Sequence, residues 1–105
     1  VEFSLVVESV SNDLPNVITL KGDADVKIEL PLELLGIKLS PGDGVRLVIQ
    51  KEKDPDYKSK FRVYAWGVVY HADSSMTRIS IGGLQLDIMR ELPLRIGEKV
   101  YIGIA

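Results

Sequence analysis

Cysteine is absent from the 105 residues, and histidine occurs once, at position 71. The first absence excludes a disulfide framework, a thiolate metal site and a cysteine nucleophile together. The second leaves no Ser-His-Asp arrangement with any choice of base and no multi-histidine metal centre. Long apolar runs are missing too; none approaches the ~20 residues needed to cross a bilayer. No basic-then-apolar leader pattern opens the chain, so a soluble, cytoplasmic protein without membrane contact is expected. An excess of one charge is also lacking. Thirteen Lys and Arg face fifteen Asp and Glu, for a net charge of -2, and bulk electrostatics give no drive towards a phosphate backbone. Any nucleic-acid contact would need a local patch.

What the chain does have is apolar residues, 46 % of the total, arranged almost everywhere with period two. That is the mark of strands with one buried face. The expected fold is all-β, a single small antiparallel barrel domain over residues 1–105 with at most one short helix. Val1, Phe3, Leu5 and Val7 share one face of a first strand, which ends at the turn cluster Ser11 to Asn16. Val17 to Leu20 and Val26 to Leu30 form a hairpin through Lys21 to Asp25. Pro31 and Gly36 bracket one short helical turn. The polar stretch Lys51 to Lys60, carrying Pro55, reads as a surface loop. A weak internal echo aligns Leu39–Ile49 with Leu94–Ile104, each a tight Gly-acid turn followed by an alternating strand; it fits a barrel of two related halves and, equally, chance resemblance between small β motifs.

Gly82 and Gly83 fit the centre of a two-residue hairpin. That register sets Ile81 opposite Leu84, Ile79 opposite Leu86 and Thr77 opposite Ile88 on one face. Ser80 then meets Gln85, and Arg78 meets Asp87, on the other.

Reactive constellations are scarce. His71 reads as a surface or turn residue, and Asp23, Asp25, Asp54 and Asp56 as turn formers beside Gly or Pro. Gly42 to Gly44 lacks the context of a phosphate loop. No catalytic residue, metal, cofactor or small-molecule substrate is expected. Tyr64, Trp66 and Tyr70 fall at even positions of a strand spanning Phe61 to His71, and Arg62 joins them. An aromatic row with a basic residue suits base stacking by a single-stranded nucleic acid. Burial in the core or beneath a protein partner is the favoured alternative.

The order WGVVYH, ISIGGLQLDI and a closing VYIGI resembles subunit eight of eukaryotic nuclear RNA polymerases, in the form of its archaeal counterpart. Trp66, Gly67, Val69 and Tyr70, then Gly82, Gly83 and Leu84, then Tyr101, carry the likeness over the last 45 residues or so. The resemblance implies a barrel related to the oligonucleotide-binding fold. It also implies a non-catalytic subunit that docks on the largest polymerase subunit and meets nucleic acid only indirectly or weakly. The short Lys51 to Lys60 stretch, in place of the long acidic insertion of the eukaryotic members, matches the archaeal form. On this resemblance Trp66, Tyr70, Gly82, Gly83 and Leu84 are the interface candidates. A free-standing single-strand-binding barrel using Arg62, Tyr64, Trp66 and Tyr70 is the alternative.

Overall fold

The computed structural model describes all residues, Val1 to Ala105. Eight strands run β1 (Glu2–Val10), β2 (Asn16–Gly22), β3 (Val26–Leu30), β4 (Gly44–Gln50), β5 (Val63–Ala72), β6 (Thr77–Ile81), β7 (Leu84–Ile88) and β8 (Lys99–Ile104). They close into an antiparallel barrel in the order β1-β2-β3-β7-β6-β5-β8-β4. Closure pairs every strand on both sides, so no edge is left to recruit another chain. No helix is long and apolar enough to cross a membrane.

Alternation decides what fills the barrel. Phe3, Leu5 and Val7 of β1, Leu47 and Ile49 of β4, Ile79 of β6, Leu86 and Ile88 of β7, and Val100 and Ile102 of β8 all point inward and are almost fully buried. Val1 has the same parity but lies at the strand entry, half exposed, where its amino group donates to the Ile49 carbonyl. The glycine hairpin has the expected register at all five pairs, from Ile81 opposite Leu84 to Thr77 opposite Ile88. Gly82 and Gly83 supply the two positive φ angles, 57° and 94°.

Two four-residue helices occur, against the one expected. Helix α1 (Leu32–Leu35) ends at Gly36 in the left-handed conformation. Helix α2 (Tyr57–Lys60) lies within the stretch expected to be plain loop. Strand β5 begins at Val63, so Phe61 and Arg62 precede it.

The echo between Leu39–Ile49 and Leu94–Ile104 is a real structural repeat. Ser40 N–H donates to Asp43 Oδ2 at 2.8 Å, and Arg95 N–H to Glu98 Oε1 at 2.9 Å. Gly42 N–H donates to the Val7 carbonyl, and Val7 N–H donates in return to Asp43 O. Gly97, Val69 and Glu98 repeat the exchange, all four bonds being 2.7 to 3.0 Å long. Strands β1 and β5 each carry a bulge just past these residues, after Val7 and after Val69. The barrel is therefore two sheets, β4-β1-β2-β3 and β8-β5-β6-β7, related by an approximate two-fold axis. At one seam the axis passes through the pair Val48–Gly103, flanked by Leu47–Ile104 and Ile49–Ile102. At the other it passes through Lys27–Asp87, flanked by Val26–Ile88 and Ile28–Leu86.

Candidate interaction surface

Core packing turns the even residues of β5 ahead of its bulge outward. Tyr64 stands opposite Gly103 and Trp66 opposite Tyr101 on the neighbouring β8. Gly103 has no side chain because the Phe61 ring occupies that space; a Cβ there would come within 2.6 Å of the ring. Phe61 in turn stacks on Tyr64 at 5.4 Å, Tyr57 of α2 on Tyr64 at 4.8 Å, and Tyr101 lies near-parallel at 6.0 Å. The Tyr64 hydroxyl accepts a 2.8 Å bond from Asp54 N–H. Tyr64 is thus the centre of a packed aromatic layer that fastens the 51–60 segment to the barrel. It is not a free ring.

Asp54 fixes that segment from its other side. Its carboxylate accepts from Lys60 Nζ and from Asp56 N–H, both at 2.9 Å. The Lys60 bond, then the Asp56 N–H, hold the Asp54 carboxyl below the usual range, and Asp54 raises Lys60 in return.

Trp66 differs from Tyr64. It is 56 % exposed in the middle of a doubly paired strand, with Lys99 Nζ 4.6 Å from its ring centre and 5.3 Å from that of Tyr101. A cation held over a ring at an exposed site contributes about 0.5–1 kcal/mol. The lysine also leaves a positive charge beside the largest exposed aromatic.

The β5–β6 register, Val68 opposite Ser80, carries the Gly82–Gly83 turn to the Trp66 end of the strand. Leu84 is half buried at that end of the barrel. Tyr70, exposed within the β5 bulge, lies four residues further along, about 13 Å away. Trp66, Gly82, Gly83 and Leu84 therefore gather at one end, and Tyr70 stands apart. Arg62 is exposed, just before β5. Gly67 is inward-facing: a Cβ would meet Ser80 O at 2.7 Å and Ile79 Cγ2 at 2.8 Å, so its role is close strand packing.

His71 pairs with Asp73 at 2.7 Å. Asp73 also accepts from Ser75 N–H, Ser75 Oγ and Met76 N–H. The Ser75 amide first, and the imidazole second, hold the Asp73 carboxyl far below its ordinary value. The serine bonds to the aspartate rather than to the histidine, so these residues organise a turn and have no nucleophile–base contact. No three His, Asp or Glu side chains converge where they could hold an ion.

Protein-family models and curated proteins both provide no match to the chain.

Sequence reasoning missed Tyr57, Phe61 and Lys99 as members of the aromatic surface. The only available signal was the outward parity of Lys99 and Tyr101 on the last strand. Leu14 and Leu34 were missed as well; each is an isolated apolar residue in a turn segment.

Proposed function

We propose that this chain is a non-catalytic docking subunit of an archaeal DNA-directed RNA polymerase, seated on the largest subunit and supporting transcription through assembly. The observation that carries this reading is Trp66, an exposed indole on a rigid strand beside a glycine turn, in a barrel whose interior is filled by its own side chains. Exposed tryptophans at the centre of a surface are characteristic anchors of protein interfaces. Covering the exposed part of Trp66 would remove on the order of 100 Å² from water, about 2–3 kcal/mol. Because the closed barrel offers no edge, a partner must be met by side chains and turns. The Gly-Gly-Leu hairpin and the Trp-Gly strand that carry the family resemblance lie together at one end.

Base stacking is less well served. Of the three aromatics expected to form a row, Tyr64 is committed to packing and Tyr70 is set apart by about 13 Å.

The test is reconstitution with the largest subunit. The parent barrel is expected to co-elute with it through high salt, since an apolar contact outlasts a phosphate-driven one. Trp66→Ala should weaken assembly at least tenfold while the free domain stays folded, its melting temperature falling by no more than the several degrees that loss of the Lys99 contact implies. A barrel that ignores the large subunit and instead shifts short single strands at low salt would overturn the reading.

A further inference from the structure

A second apolar surface stands where the first half of the chain departs from the two-fold relation. Leu32 and Leu92 occupy equivalent places after β3 and β7, and Leu39 and Leu94 equivalent places before the two Gly-acid turns; all four are buried. In the second half Leu92 and Leu94 are separated by one residue. In the first half the same interval holds five more residues, and these include the end of α1. The extra segment leaves Leu34 89 % exposed, and from the β1–β2 turn Leu14 comes up beside it at 86 % exposure. With Pro15, Pro31, Glu33 and Leu84 they enclose a cleft of about 550 Å³.

The architecture does not require these leucines to be outside. In the related cleft at the opposite end of the barrel, between Asp73 and Glu91, both leucines, Leu92 and Leu94, are buried. The floor of the Leu14–Leu34 cleft is the place where β3 and β7 part. Their ladder ends at Ile28–Leu86, and the next donor on β7, Gln85 N–H, is taken by the Glu29 carboxylate at 2.8 Å. Leu84, from the glycine hairpin, lines the cleft beside that parting.

The one charged residue that lines the cleft is acidic, Glu33, and a second carboxylate, Glu29, is held on the Gln85 amide next to the lining residue Leu84. No lysine or arginine lines it. An apolar slot with an acidic rim favours a protruding apolar side chain with Lys or Arg beside it.

We infer that the Leu14–Leu34–Leu84 cleft is a docking slot for a segment of the largest polymerase subunit that presents one large apolar residue next to a basic one. The inference rests on the polymerase reading above and adds a second anchor point, distinct from Trp66. Leu84 links the slot to the glycine hairpin.

The experiment measures binding of the purified largest subunit to the full chain and to Leu14→Ser/Leu34→Ser. The double variant is expected to bind at least tenfold more weakly with an unchanged melting temperature. Leu34→Ala alone should show part of the loss, and a side chain this exposed adds nothing to the core that could confuse the result. Glu33→Lys should weaken binding severalfold at low salt and less at high salt. If the parent binds and the leucine variants bind equally well, the slot is wrong and the polymerase reading stands. If the parent itself does not bind, both fall. A concentration-dependent dimer of the parent that these substitutions abolish would assign the slot to a second copy and overturn the inference.

Discussion

Gly67 is the residue of the Trp-Gly motif whose role the structure makes most testable. An alanine there would place its Cβ 2.7 Å from the Ser80 carbonyl oxygen, 2.8 Å from Ile79 Cγ2 and 3.2 Å from Ile81 Cγ1. The first distance is about 0.7 Å inside ordinary contact at 3.4 Å, and its partner is backbone in the adjacent strand. Ile79 is fully buried and has no room to turn away. Overpacking of this kind costs about 1–3 kcal/mol. For a domain of this size that is a fall of roughly 5–15 °C in the melting midpoint. Gly44→Ala is the matched control. A Cβ there meets nothing within 4 Å and the backbone needs no positive φ, so the change should stay within about 0.5 kcal/mol of the parent. Thermal melts of the three proteins by circular dichroism decide the matter. Equal midpoints for Gly67→Ala and the parent would refute the close-packing account.

Two further outcomes bear on the core and on pH. Ile79→Ala removes a fully buried side chain paired with Leu86 across the hairpin; urea denaturation should record a loss of about 2–5 kcal/mol, and a loss below about 1 kcal/mol would mean that the barrel interior collapses around the gap. Asp73 has a folded-state carboxyl held below its ordinary value by the Ser75 and Met76 amides and by His71, so its contribution is fully present above the unfolded value near 4 and is lost as the pH falls below it. Asp73→Asn should therefore be less stable than the parent at neutral pH, and the two should converge in acid; melting curves that run parallel from about pH 7 to about pH 2 would contradict this.

The parts of the fold legible from sequence are those in which local alternation and turn chemistry agree. The β6–β7 hairpin is readable pair by pair because a one-residue slip would expose Ile79, Leu86 and Ile88 together while Gly82 and Gly83 fix the turn. The Leu39 and Leu94 echo is visible for the same reason, since a glycine and an acid recur at the same distance ahead of an alternating strand. What escapes lacks a periodic pattern or depends on partners distant in sequence. Helix α2 is held by Tyr57 and Phe61 packing on Tyr64, and by Asp54 bonding Lys60, contacts no more than seven residues apart that the polar 51–60 stretch does not announce by any helical periodicity. The expected row of Tyr64, Trp66 and Tyr70 has correct outward parity, but parity does not report that Tyr64 is roofed by neighbouring rings or that a bulge interrupts the strand before His71. The Leu14–Leu34 pairing is invisible because the residues lie in separate turns and only the barrel brings them together.

The approximate two-fold axis has a consequence for how such a chain can be divided. Each four-strand sheet is continuous in sequence, residues 2–50 and 63–104, and the segment between them crosses from one to the other on the surface. Cut there, each fragment would carry two bare rims, β3 with β4 or β7 with β8, whose hydrogen-bonding groups match those of the other fragment. Mixed in equal amounts, the two fragments are expected to complement in trans, and fragments that stay separate on gel filtration would contradict the two-sheet division.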